Sequence, residues 1–173
     1  MKLMPFSLLL LSGCFFAGCQ SFIDNPHFIV KDSGLNWVTI RHYNYRITPI
    51  QRVNLRIDGN GMVTIREGTS LLVTNPYAID HNEPTWQDCR ERRLILPKED
   101  VRPIFQMLVD QGLFKPRQKG SVLSTNEAIF VSANIQNKTC GDENDVYGND
   151  PDLAESLKNV VLMFAQPQPK RKP

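Results

Sequence analysis

The stretch "VNLRIDGNGMVTIRE", residues 53–67, constrains the fold more tightly than any other part of the chain. Val53, Leu55 and Ile57 alternate with Asn54, Arg56 and Asp58. After Asp-Gly-Asn-Gly, Val63 and Ile65 alternate with Thr64 and Arg66. Two runs of period two around a Gly-rich turn make a β-hairpin with one face buried and one wet. Gly59 and Gly61 lie in that tight turn and not at a strand-to-helix junction, so they do not form a phosphate loop.

The remaining segments supply partners for the buried face. Residues 35–47, "LNWVTIRHYNYRI", are rich in β-branched and aromatic side chains and predict a strand. Residues 69–79 extend the pattern as a third strand, and Ile129, Val131, Ala133 and Ile135 alternate inward along a fourth. Residues 80–93, "DHNEPTWQDCRERR", break every periodicity and read as a long polar loop before a short apolar "LIL". Val101, Ile104, Phe105, Leu108 and Val109 recur at helical spacing up to Gly112. The helix is expected to start near Asp100, which puts Pro103 at its third position, where the missing N–H costs nothing. Leu113 and Phe114 pack where the chain leaves it. Asp150-Pro151-Asp152 opens a last helix with a cap, a first-position proline and an acid suited to the helix dipole. Leu153, Leu157, Val160, Val161 and Phe164 form its apolar stripe. The pattern predicts an α+β domain: an antiparallel sheet of about four or five strands, with two helices packed on one face.

The chain of 173 residues is one domain long, and its 41% apolar and 22% charged content is that of a globular protein. The formal charge of +2 is concentrated at the ends; without Lys2, Lys170, Arg171 and Lys172 the body stands at −2. A nucleic-acid partner, which calls for a concentrated basic face, is therefore not expected.

At the N-terminus, Lys2 precedes the apolar run "LMPFSLLLLSG", which is shorter than the roughly 20 residues that cross a bilayer. Two cysteines follow small residues, in Leu11-Ser12-Gly13-Cys14 and in Phe16-Ala17-Gly18-Cys19. The stretch resembles the lipobox of bacterial lipoproteins, in which the cysteine becomes the acylated first residue of the mature chain. Cys19 is the expected anchor and Cys14 the alternative. The leader before Cys14 would be unusually short, and Phe15-Phe16 follow it, where lipoproteins continue with polar residues such as Gln20-Ser21. The resemblance implies two or three acyl chains, each CH₂ contributing about 0.8 kcal/mol, and hence stable membrane anchoring. Gln20 is not the Asp that retains such proteins at the inner membrane, so an outer-membrane position facing the periplasm is expected in a Gram-negative cell. The chain then divides into a leader (1–18), a lipidated tether (19–34), the domain (35–165) and a basic tail (166–173) that is expected to be disordered and could touch an anionic membrane or cell wall.

Export would place Cys89 and Cys140 in an oxidising compartment, where an even number suggests a disulfide. Neither has Cys or His at ligand spacing, as zinc would need. Such a bridge would close about 50 residues, worth roughly 4 kcal/mol in the chain-entropy picture. The search for chemistry yields no catalytic residue, metal site or cofactor. His27 lies in the tether and His42 in a strand. His81 stands in the polar loop near Asp80, Glu83 and Asp88. A hydrolase or metal-dependent site there would need a distant residue, such as His42 or Asp145, to converge on it. "DENDVYGND" fails the EF-hand pattern, because Val146 and Tyr147 occupy the fifth and sixth positions counted from Asp142. Arg90, Arg92 and Arg93, near Glu91, form the one basic cluster of the body, read first as ordinary surface salt bridging and alternatively as a contact for an anionic glycan, lipid headgroup or acidic partner. The leading expectation is a non-enzymatic envelope lipoprotein that binds or supports other components. The others are an inhibitor-like protein that clamps an exported enzyme through a loop at Trp86 and Tyr77, and a hydrolase centred on His81.

Overall fold

The computed structural model of the protein describes residues 28–70, 86–116, 126–141, 146 and 148–165. Six strands and two helices follow one another: β1 (Trp37–Asn44), β2 (Ile50–Asp58), β3 (Met62–Ser70), β4 (Trp86–Ile95), α1 (Lys98–Asp110), β5 (Glu127–Ile135), β6 (Lys138–Cys140) and α2 (Pro151–Ala165). They form one sheet in the order β4-β3-β2-β1-β5-β6, antiparallel at every pair. The α+β class follows the sequence pattern, but the sheet has six strands where four or five were expected.

Register fixes which side chains share a face. Val38 opposes Ile57 and Ala133, Ile40 opposes Leu55 and Val131, and Leu55 and Ile57 oppose Ile65 and Val63. These inward positions and the stripes of both helices (Val101, Phe105 and Leu108; Leu153, Leu157, Val160, Val161 and Phe164) form a single buried cluster. Each such side chain contributes about 1.5–3 kcal/mol by leaving water.

The hairpin closes through Gly59–Gly61. Gly61 N–H donates to Asp58 O at 2.9 Å and Gly61 has φ +95°, the three-residue loop ending in a left-handed residue. Helix α2 is capped as expected, with Leu153 N–H donating to Asp150 Oδ1 at 3.1 Å. Gly112, at φ +89°, ends α1 with Leu113 N–H returning to Leu108 O, a Schellman stop.

Four expectations need correction. First, Trp86–Ile95 is a strand and not a polar loop. As an edge strand it has only Arg92 and Leu94 half-buried from residue 87 onward, so it carries none of the alternation that marks a buried strand. Second, α1 begins at Lys98, because Asp100 N–H closes the first turn on Pro97 O. Pro103 therefore lies inside the helix. Third, the domain begins before residue 35. Val30 is part of the core, and the Phe28 ring stands edge-on to Phe114 at 6.4 Å. Fourth, Cys89 and Cys140 are not joined in a disulfide. They stand on β4 and β6, the two opposite edges of the sheet, about 24 Å apart at the usual strand spacing, whereas a disulfide needs Cα atoms within about 7 Å.

The segments that carry Cys14, Cys19, His27, Tyr77, Asp80, His81, Glu83, Asp145 and the basic tail lie outside the described residues, as does the part of the expected third strand beyond Ser70. Among the described residues no helix is long and apolar enough to cross a membrane.

Candidate functional site

The inward face of the sheet does not stay apolar along its whole length. Beyond the row of Ile40, Leu55 and Ile65, the next inward positions are His42 on β1, Val53 on β2 and Glu67 on β3. The row after that is Glu127, Asn44, Gln51 and Thr69. The last turns of α2, through Val161, Leu162 and Ala165, wall this polar end and leave a half-open groove of about 540 Å³.

Three ionisable groups meet there. His42 Nε2 lies 3.3 Å from Glu127 Oε2, and Lys158 Nζ donates to the same oxygen at 2.8 Å. The side chains of His42 and Glu127 are nearly buried, at 11% and 12% exposure. Burial lowers the His42 pKa from its ordinary 6.5, and the Lys158 charge adds to this; the hydrogen bond and the charge of Glu127 pull the other way and do not prevail. At neutral pH the ring is therefore uncharged and donates Nε2–H to the carboxylate, leaving Nδ1 as an acceptor. Lys158 balances Glu127, so the trio presents a neutral, hydrogen-bonding surface.

Arg92 closes one end of this region. Its Nη2 donates to Phe164 O at 3.0 Å and Ala165 O at 3.2 Å, the free carbonyls at the C-terminus of α2, and lies 3.4 Å from Glu67 Oε2. A cation at that helix end meets the negative pole of the dipole. The expected arginine cluster is thus divided, because neighbours on a strand point to opposite faces. Arg90 and Arg92 belong to the helix side. Arg93 belongs to the other face, where it pairs with Glu91 at 2.6 Å.

Trp86, expected as an inserting side chain, is half-buried at the start of β4, with its ring 4.3 Å from the Arg52 guanidinium. Arg52, only 1% exposed, also lies 5.3 Å from the Tyr43 ring, and its Nε donates to Asn54 Oδ1. Stacking between two aromatic faces suits a weakly hydrated guanidinium.

Of the residues proposed around His81, only His42 and Asp88 are described. Asp88 is exposed on β4, and His42 joins Glu127 and Lys158 instead. Among the described residues no three His, Cys, Asp or Glu side chains gather as a metal site would require. Sequence reasoning missed the His42–Glu127–Lys158 trio, yet a signal was present: His42 continues the inward alternation of Val38 and Ile40, and Glu127 that of Ile129 and Val131. No protein-family model matches the chain, and comparison with curated proteins gives no match.

Proposed function

We propose that the chain is a lipid-anchored envelope protein, held through Cys19, whose domain binds a polar ligand in the helix-side groove without transforming it. The observation that carries the reading is the groove itself: about 540 Å³, within the size range of small-molecule sites, apolar on the α2 wall and hydrogen-bonding on the sheet floor. Its ionisable groups are spent on one another, which favours recognition over proton transfer. Asn44, Gln51, Thr69 and the free donors of Lys158 suit a neutral, hydroxyl- or amide-rich molecule such as a glycan or peptide fragment. In a Gram-negative cell the anchor would face the periplasm from the outer membrane.

The test is native mass spectrometry of the protein extracted from its host membranes, beside a Thr69→Trp variant that fills the groove. A small polar molecule carried by the wild type, lost from the variant and recovered chemically unchanged after prolonged incubation supports the reading. Equal occupancy of both proteins, or a ligand converted on the protein, sinks it. For the anchor, Cys19→Ala is expected to release the protein from membranes and Cys14→Ala to leave it there.

A further inference from the structure

The sheet face away from the helices is organised in rows running across the strands. At the hairpin end, Trp37 opposes Asp58 and Met62 opposes Ile95. The next row holds Thr39, Arg56, Thr64 and Arg93, and the one after it Arg41, Asn54, Arg66 and Glu91. The end row is apolar apart from Asp58, which Arg56 holds at 2.8 Å, and its margin is open to solvent: Ile95 is 84% exposed and Met62 39%. Leu35, 81% exposed, sits in the turn just before Trp37. Behind this fringe stand arginines, with the Arg56 and Arg93 side chains 44% and 68% exposed. Arg41, Arg56, Arg66 and Arg93 outnumber the acids of these rows, Asp58 and Glu91. The −2 body charge therefore conceals a basic face.

The chain joins the domain at Phe28, on the helix side beside Phe114 and Gln106, and passes this end at residues 33–36. Asn36 O accepts from Gly59 N–H at 2.7 Å, so residues 33–36 are clamped to the tip of the β2–β3 hairpin. Cys19 lies nine residues before Phe28, a span of at most about 30 Å, so an acylated Cys19 would keep the Leu35, Trp37, Met62 and Ile95 fringe within reach of the bilayer that holds it.

We infer that the domain docks on the anionic surface of its own membrane, with this apolar fringe seated at the acyl boundary and Arg56, Arg93, Arg41 and Arg66 against lipid phosphates. The inference rests on the anchor reading for its geometry and on charge complementarity for its partner. Apolar side chains that enter shallowly, backed by arginines at headgroup depth, are the chemistry of interfacial binding. Trp37, beneath the Arg56 guanidinium at 4.9 Å, is a native reporter.

The full chain, extracted with its anchor, is reconstituted into phosphatidylcholine vesicles with or without about one third phosphatidylglycerol, and Trp emission is read against shallow-brominated lipids. Quenching of Trp37 in the anionic vesicles only is expected, read cleanly in Trp86→Phe and as a partial loss of emission in the wild type. Arg56→Glu with Arg93→Glu is expected to abolish the quenching while the chain still floats with vesicles. For chain carrying Cys19→Ala, the same pair is expected to weaken partition onto anionic vesicles about tenfold or more. A floating chain whose Trp37 is never quenched overturns the docking and leaves the anchor standing. A chain that fails to float overturns the anchor, and docking is then decided by salt-sensitive quenching of the Cys19→Ala chain on preformed anionic vesicles, whose absence overturns it. Equal quenching in both vesicle types overturns the role of the arginines. An added soluble acidic polysaccharide that shifts Trp37 emission where vesicles do not overturns the membrane assignment in favour of a glycan.

Discussion

His42 occupies a position where the alternation of β1 would place another aliphatic side chain after Val38 and Ile40. Its ring is held neutral by burial, and the unfolded chain binds a proton there more readily than the folded one. The resulting stability is fully present above the ordinary 6.5 and is lost as pH falls below that value toward the lowered folded pKa. Melting curves between pH 7.5 and 5.5 should therefore fall more steeply for the wild type than for His42→Asn; equal slopes would refute the assignment. Arg92 invites a different test. Replacement by Met keeps much of the stem but orphans the Phe164 and Ala165 carbonyls, so denaturant unfolding should show a loss of about 1–2 kcal/mol for this partly exposed pair of charged hydrogen bonds.

At the level of elements, the cap of α2 and the clamp at the hairpin tip give separable predictions. Asp150→Ala removes the acceptor of Leu153 N–H and should cost about 1 kcal/mol in chemical denaturation. Gly59→Ala should cost more than a usual surface change, since a Cβ there would collide with Ser33 O and press on Asn36 O. Proteolysis near residue 33 should accelerate in that variant, and an unchanged digestion rate would show that the clamp is loose. These elements also mark what sequence reasoning reaches. The hairpin, the inward faces of β1 and β5 and both helical stripes were legible because burial on one side leaves a period. β4 was not, because an edge strand that pairs once has charged residues on both faces. β6 was hidden because a three-residue strand is set by its turn, where Gln136 and Asn137 have φ of 52° and 65°. Of the groove, only the inward positions of His42 and Glu127, each on its own strand, could be read, and not that they meet. His42, Glu127 and Lys158 come from β1, β5 and α2, and their meeting depends on strand order and helix placement, which local pattern does not encode.

For the molecule as a whole, the position of Cys89 and Cys140 at opposite margins predicts two independent thiols. Intact mass should not change on adding reductant, and alkylation of the native protein should label exposed Cys89 before half-buried Cys140. A gain of two hydrogens on reduction would contradict the strand order itself. The same order has a consequence for biogenesis. β1 is central, yet its two neighbours are made at very different times: β2 follows at once, whereas the segment carrying Glu127, which packs beside His42, arrives 85 residues later. Throughout that interval this strand, with Val38 and Ile40 fully buried in the finished fold, has an open margin able to pair with any strand it meets. Closing so distant a pairing is also slow relative to forming the neighbouring hairpin. On the envelope reading proposed above, a chain crossing a membrane from its N-terminus would be tied down before this gap is filled, and its dependence on holding chaperones should end when β5 emerges.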